Sequence, residues 1–155
     1  MASRTGYAGT ESVGDVLTKT NFDKLPNGLI GYAIVTSNQG SITTAVDLTS
    51  LTVTVTVGTS RIIRVMAYVP FQTGTANDGA AATILESATI LATGGAYMTQ
   101  TGVSDMQSVC CILTPSAGSH TYKVQGQQLT GGTVTMGASA TNPATLTVED
   151  LGPSF

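Results

Sequence analysis

The chain has 155 residues, enough for one domain with a single hydrophobic core. Only 10% of its residues are charged, against about 25% in an ordinary soluble domain, and the net charge is −3. Binding to a nucleic-acid backbone needs clustered cations, so this balance excludes DNA and RNA as partners. The 27 threonines and 18 glycines predict a surface rich in hydroxyl groups.

Residues 1–28 differ in composition from the rest of the chain. Their apolar residues are isolated among Gly, Thr and charged residues, and a Pro-Asn-Gly turn closes the segment. This pattern predicts an extended N-terminal docking arm, in which a turn or two of helix between Asp15 and Lys24 would depend on a surface to dock against. The candidate docking residues of the arm are Tyr7, Val13, Val16, Leu17, Phe22 and Leu25.

From residue 29 onward, short runs rich in Thr, Val and Ile alternate with turn signals that contain Gly, Asn, Asp or Pro. Such runs predict an all-β fold, an antiparallel β-sandwich of the jelly-roll type that spans residues 29–155. Residues 80–91 also have helix propensity, but their Thr and Ile content and their neighbours favour strands. The predicted strands are 31–36, 41–46, 51–57, 61–70, 81–86, 89–92, 106–113, 120–125, 133–138 and 144–149.

Two strands of different character follow each other between Leu51 and Phe71. In the first, Leu or Val alternates with Thr over residues 51–57, the period of two that is typical of a strand with one buried face. The second strand, after a turn at 58–60, is apolar on both faces, so one face must be covered by further chain or by a neighbouring subunit. The predicted subunit interface consists of Ile62, Arg64, Met66 and Tyr68.

The role of Arg64 has two interpretations at this stage. An arginine between Ile62 and Met66 needs a carboxylate or carbonyl partner. Either the strand is an edge strand and Arg64 blocks aggregation, or Arg64 forms an ion pair across a subunit contact.

The residues that could carry enzyme chemistry are few and scattered. The single histidine, His120, begins a predicted strand and has no triad partner nearby in sequence, which favours a strand-end or interface role. Asp78 belongs to an Asn-Asp-Gly turn that brings one carboxylate, too few for calcium. Glu149 and Asp150 should point to opposite faces of the last strand. We therefore predict no catalytic residues, no metal site and no cofactor, and hence no enzyme.

Cysteine usage and hydropathy restrict the cellular setting. Cys110 and Cys111 are neighbours whose side chains should point to opposite sides of a strand, which predicts reduced, buried thiols instead of a disulfide. No run approaches the roughly 18 apolar residues that span a bilayer, and the N-terminus lacks the apolar segment of a signal peptide. We expect synthesis in the cytoplasm and no membrane partner.

Two segments resemble parts of tailed-bacteriophage virion proteins. GDVLTKTNFDKLPNGLIGYA (Gly14 to Ala33) resembles the segment that precedes their β-rich modules, and GGTVTMGASATNPATLTVEDLGP (Gly131 to Pro153) resembles their closing strands. With the intervening VTVGTSRIIRV, the resemblance to actinobacteriophage-type minor capsid, head-fibre and tail-accessory proteins covers most of residues 14–153. It implies a structural virion protein whose jelly roll is similar to the trimeric tumour-necrosis-factor and complement-C1q type.

The expected function is that of a homotrimeric capsid decoration, or minor capsid, protein. The end of the chain directly after its sandwich favours this role over that of a fibre. We expect the arm to dock on the major capsid protein while the sandwich projects from the virion surface. One alternative is a tail-fibre or tail-tip accessory protein that adheres to the host surface, where a glycan could be its partner. The other is a carbohydrate-binding module, which the absence of Trp and the presence of only eight Phe and Tyr disfavour.

Overall fold

Ten strands form two antiparallel sheets in the computed structural model of the protein, which describes residues 25–154. Every predicted strand has a counterpart, and residues 25–154 contain no helix, so the predicted all-β sandwich is confirmed. The strands are β1 (Gly28–Val35), β2 (Gln39–Ile42), β3 (Val46–Val57), β4 (Arg61–Thr73), β5 (Asp78–Glu86), β6 (Thr89–Met98), β7 (Ser104–Leu113), β8 (Gly118–Gln128), β9 (Val134–Met136) and β10 (Ala144–Pro153).

The strand order is that of a jelly roll. One sheet has the order β1-β10-β4-β7, and the other has the order β3-β8-β5-β6. Among these eight strands, every connection except the β5–β6 turn crosses from one sheet to the other, as in a jelly roll. The short strand β9 pairs with β4 beyond the end of β10, and β2 pairs with β9.

The core lies between the two sheets and follows the alternation of the sequence. In β3, Leu51 and the valines at 53, 55 and 57 are buried while Thr52, Thr54 and Thr56 are exposed, as predicted. In β4, the buried set is Ile63, Val65, Ala67 and Val69. Both alternations direct Val and Ile inward, where they form the contact between the sheets.

Strand β1 approaches the opposite sheet closely because of one glycine. A Cβ atom at residue 31 would lie 2.6 Å from Cγ1 of both Val53 and Val55. The glycine therefore lets the backbone of β1 lie directly against β3, and β1 closes one side of the sandwich.

The strand boundaries differ from the sequence-based prediction mainly around β2 and β3. The predicted strand 41–46 is divided, since β2 ends at Ile42 and β3 begins at Val46. Ser41 and Ser50 have positive φ values of 59° and 64°, and the β3–β8 register shifts between Asp47 and Thr52. These irregularities interrupt the alternation from which strand ends are predicted.

Only the end of the predicted arm belongs to the described residues. Tyr7, Val13, Val16, Leu17 and Phe22 lie outside them, whereas Leu25 is half-buried and leads through Pro26 and Asn27 into β1. The docking role of the arm stays a prediction. Within residues 25–154, no helix offers the length and apolarity that a membrane crossing requires.

Candidate interaction surface

The outward side of the β1-β10-β4-β7 sheet is the most apolar exposed surface of the described chain. Antiparallel pairing aligns its side chains in rows, one of which contains Tyr32, Thr147, Met66 and Cys110. We call this surface the apolar face. Its members are Leu29, Tyr32 and Ile34 of β1, Thr145, Thr147 and Glu149 of β10, Ile62, Arg64, Met66 and Tyr68 of β4, and Met106, Ser108, Cys110 and Ile112 of β7.

Large side chains on this face are widely open to solvent. Tyr32 and Ile112 are each 64% exposed, although they belong to strands at opposite edges of the sheet. Six of the eleven large hydrophobic side chains that are exposed in residues 25–154 belong to the apolar face. A contiguous exposed apolar surface of this kind marks a protein–protein contact more often than a free surface.

The charges on the apolar face cancel within the chain. Nε of Arg64 donates to Oε2 of Glu149 at 2.8 Å, and Nη2 donates to the same oxygen. β4 is an inner strand between β10 and β7, so the edge-strand interpretation of Arg64 is wrong. The partner that the structure shows for Arg64, Glu149, lies on the adjacent strand of the same chain. An ion pair of Arg64 across a subunit contact stays a prediction.

The opposite side of the sandwich has a different surface. The outward residues of β3 and β8 are mainly Thr, Ser, Gln and Lys, and Thr54 and Thr121 share a hydroxyl–hydroxyl hydrogen bond of 2.8 Å. Asp47 accepts hydrogen bonds from Lys123 and Gln125, and these contacts lower its pKa. The part of this surface that β3 and β8 form is solvated through hydroxyl and amide groups, while Ile90 and Tyr97 of β6 are exposed on the same sheet. Exposed apolar side chains are therefore concentrated on the apolar face but not confined to it.

The four residues of the predicted subunit interface all lie on the apolar face. Ile62, Arg64 and Met66 are half-buried, and Tyr68 is 37% exposed. The apolar face also contains residues that the sequence analysis did not include, above all Tyr32 and Ile34. The signal was present in the sequence, because Tyr32 and Ile34 alternate with Ala33 and Val35 and leave β1 without a polar side.

The two cysteines face opposite sides of β7, as predicted, and both are free thiols. The predicted burial is wrong for Cys110, which is exposed on the apolar face beside Met66. Cys111 points towards the core and is half-buried, and desolvation raises the pKa of its thiol to about 11. Cys110 is therefore the more accessible thiol.

A buried ion pair holds the start of β1 and the end of β10 at one end of the sandwich. Nε of Arg61 donates to both oxygens of Asp150, at 3.0 and 2.9 Å, and Nη2 donates to Oδ1 at 2.8 Å. Nη2 of Arg61 also donates to the carbonyl of Leu25, and Nδ2 of Asn27 donates to Asp150, each at 2.7 Å. We call these four residues the anchor cluster, because they tie the segment before β1 to β4 and β10.

His120 is held by two hydrogen bonds at the same end of the sandwich. Its Nδ1 lies 2.5 Å from Oε1 of Glu86, and its Nε2 lies 2.8 Å from the carbonyl oxygen of Ser116. The hydrogen bond with Glu86 raises the pKa of His120 against the opposing effect of burial, and the Ser116 carbonyl adds to the rise. Both ring nitrogens are occupied by these contacts, consistent with the predicted strand-end role.

Asp78 organises the loops at the other end. It is the first residue of β5, and its side chain is buried beneath the segment that follows β8. Its Oδ1 accepts hydrogen bonds from the amide of Gly79, from Nε2 of Gln128 and from both the amide and the hydroxyl of Thr130. Burial opposes ionisation, but these hydrogen bonds outweigh it and hold the pKa of Asp78 below its ordinary value.

The carboxylates of β10 also lie as the sequence predicted, on opposite faces. Glu149 is on the apolar face with Arg64, and Asp150 is inside with Arg61. Between residues 25 and 154, no three His, Cys, Asp or Glu side chains are close enough together to hold a metal ion.

Comparisons with known proteins identify no family for this chain. No protein-family model and no curated protein matches it. Solved structures that are similar include a structure of the infectious bursal disease virus Gx strain (TM-score 0.43, 14% identity) and the VP2 subviral particle of that virus (TM-score 0.41, 12% identity). Each match covers 83% of this chain and 38% of the other, so the chain spans less than two fifths of these proteins.

A third similar structure comes from a bacterium. Latent PorU from Porphyromonas gingivalis matches with a TM-score of 0.39 and 10% identity, over 83% of this chain and 13% of that one. At these scores, the similarities carry no argument about function.

Proposed function

We propose that this protein is a non-enzymatic structural component of a bacteriophage virion, a homotrimeric decoration protein on the surface of the head. In this proposal the apolar faces of three copies form the subunit contacts, and the arm docks on the major capsid shell. The observation that carries the proposal is the apolar face, which holds six of the eleven large hydrophobic side chains exposed in residues 25–154, whereas the outward surface of β3 and β8 is rich in hydroxyl and amide groups.

The chemistry of the apolar face supports a second copy of the chain as its partner. Arg64 and Glu149 neutralise each other, so the face presents no net charge that would require an oppositely charged partner. Two neutral apolar surfaces can associate without leaving an unpaired charge buried. A ring forms when one part of the face contacts a different part on the next copy, and the number three follows from the resemblance to trimeric virion modules.

The arm supports attachment to a larger assembly. The anchor cluster fixes residues 25–27 to the end of the sandwich, so a docking segment that precedes them would be held in a defined position. A trimer would present three such segments, and multivalency increases the effective affinity of a weak individual contact. Binding to the assembled shell would then stabilise that shell by mass action.

The subunit contact is tested by placing a charge at the centre of the apolar face. We expect the wild-type protein to sediment as a trimer and Met66→Glu to sediment as a monomer, because burying an unpaired carboxylate at the contact is strongly unfavourable. Tyr68→Glu should have the same effect. Thr54→Glu is the matched control, since it adds the same charge to an exposed position on the other sheet and should leave the trimer intact.

A thiol-labelling experiment adds a second measurement on the same variants. Cys110 should react slowly with a maleimide in the assembled wild type and rapidly in Met66→Glu, whereas Cys111 should react slowly in both because its pKa is about 11. A monomeric wild-type protein, or a folded Met66→Glu variant that sediments like the wild type, would rule out this interface. Immunolabelling found only on tails would replace the head location by the tail-accessory alternative.

A further inference from the structure

A small cleft lies between the end of β6 and the start of β7, with a volume of about 230 Å³. The cleft and the anchor cluster lie at opposite ends of β4. Arg61 of the anchor cluster begins this strand, and Thr73 ends it. The carbonyl of Thr73 accepts a hydrogen bond from the amide of Gly102, which belongs to the loop beside the cleft. If the arm attaches to a larger particle, this cleft lies at the end that faces outward.

The residues of the cleft combine one exposed aromatic ring with short polar side chains. Tyr97 is 64% exposed and Val103 is 47% exposed. Asp105, Gln100 and Ser104 supply a carboxylate, an amide and a hydroxyl group. Oδ2 of Asp105 accepts a hydrogen bond from Nε2 of Gln107 at 3.0 Å, while no side chain or amide in residues 25–154 donates to Oδ1.

Hydrogen bonds to neighbouring loops hold the cleft in shape. The amide of Gly102 donates to the carbonyl of Thr73 at 3.1 Å, and Nε2 of Gln72 donates to Oγ of Ser104 at 2.7 Å. On the β6 side, the carbonyl of Met98 accepts from the amide of Asn77 at 2.9 Å. A ligand would therefore find a largely preformed site, which lowers the entropic cost of binding.

The position of the Tyr97 ring depends on a glycine in the adjacent strand. A Cβ atom at residue 79 would lie 3.0 Å from Cδ1 of Tyr97 and 3.1 Å from Cδ1 of Leu129. Gly79 thus provides the space in which the ring packs against β5, while most of the ring surface stays open to solvent.

The chemistry of the cleft selects the class of ligand. Its lining contains no Lys, Arg or His, so it offers no cation to an anionic ligand. Its volume is below the roughly 300–1,000 Å³ of pockets for drug-sized molecules. The electron-rich face of a tyrosine ring attracts the partly positive C–H groups of a sugar, and a carboxylate beside an amide can bind two adjacent hydroxyl groups.

We propose that this cleft binds one ring of a neutral saccharide, with Tyr97 stacked on the C–H face of the sugar and Asp105 and Gln100 bound to its hydroxyl groups. The proposal goes beyond the structural role and does not depend on it, because every residue of the cleft belongs to one chain. It also revises the sequence-based argument against sugar binding, since a single well-exposed tyrosine is enough for one ring.

The experiment is a titration of the isotope-labelled full-length protein with the methyl glycosides of glucose, galactose, N-acetylglucosamine and rhamnose, followed by amide chemical shifts. We expect millimolar binding of at least one glycoside, with shifts concentrated in residues 97–105. Tyr97→Ala should weaken that binding about tenfold, at the upper end of the effect of a stacked aromatic ring. Tyr97→Phe should retain it, and Asp105→Asn should weaken it.

Ile90→Ala is the matched control, because Ile90 is 65% exposed on the same strand, β6, but lies outside the cleft and outside the apolar face. It should leave glycoside binding unchanged. The proposal is overturned if none of the four glycosides shifts residues 97–105, or if the shifts and affinities are the same in folded Tyr97→Ala. Because binding is measured whatever the oligomeric state, a negative result here leaves the sedimentation test of the trimer unaffected.

Discussion

Two arginines on β4 show how alternation along a strand determines the role of a side chain. Arg61 and Arg64 are three residues apart and therefore point to opposite faces, and consecutive residues of β10 supply their partners. Asp150 meets Arg61 in the interior, and Glu149 meets Arg64 at the surface. The sequence predicted the opposite orientation of the two carboxylates, but their partners depend on the β4–β10 register, which local patterns do not reveal.

At the same scale, His120 predicts a pH dependence of stability. Its pKa is raised in the folded protein, chiefly by the hydrogen bond with Glu86, while the unfolded chain should have the ordinary value of 6.5. The stabilisation by protonated His120 is therefore complete below pH 6.5 and is lost as the pH rises through the folded-state pKa. We expect the urea midpoint to fall over this interval.

The control for this prediction is His120→Gln, which keeps a hydrogen-bonding side chain but does not titrate. The decrease in the urea midpoint above pH 6.5 should be smaller in this variant than in the wild type. An identical decrease in both proteins would show that other groups are responsible.

Strand existence and strand orientation could be predicted at the scale of the element, whereas strand ends and cross-strand partners could not. The Val/Thr alternation of β3 and the two apolar sides of β4 follow from residue order alone, and both match the structure. The first residues of β3 could not be predicted, because Ser50, which has a φ of 64°, breaks the alternation within the strand. The exposure of Cys110 depends on whether another layer covers β7, and no layer formed by residues 25–154 does.

The buried ion pair between β4 and β10 should contribute strongly to stability. Asp150→Asn leaves the buried guanidinium of Arg61 without its counter-charge, and breaking such a pair costs about 3–5 kcal/mol of unfolding free energy. Glu149→Gln breaks the neighbouring, partly exposed pair and should cost about 1 kcal/mol or less. Urea unfolding of the two variants measures the difference. Equal losses of unfolding free energy in the two variants would show that the buried Asp150 ion pair stabilises the protein no more than the partly exposed Glu149 pair does.

Residues 25–154 form a sandwich with the apolar face on one sheet and two chemically different ends. One end contains the anchor cluster and His120, and the other contains Asp78 and the loops that shape the cleft. In the proposed role, the end with the anchor cluster would serve attachment, the apolar face would serve self-association, and the end with the cleft would face the surroundings. The sequence analysis predicted the arm and one member strand of the apolar side, but the cleft joins side chains whose grouping depends on the fold.

Removal of residues 1–24 tests the role assigned to the arm. Leu25 and Asn27 are retained, so the anchor cluster stays intact, and the sandwich should keep the thermal unfolding temperature and the oligomeric state of the full-length protein. Binding to capsid shells that lack the decoration protein should be lost, as measured by co-sedimentation. A truncated protein that still co-sediments with the shells would place the docking site elsewhere on the molecule.

The described chain begins and ends at the same side of the sandwich. The carbonyl of Leu25 accepts a hydrogen bond from Arg61. The amide of Ser154 donates a hydrogen bond of 2.7 Å to the carbonyl of Ser60, the residue before Arg61. If the arm docks as proposed, a reporter fused after residue 154 would compete for space with the docking partner. A foreign peptide inserted at Gly131, an exposed position where an added Cβ would meet no atom within 4 Å, would instead be displayed at the far side.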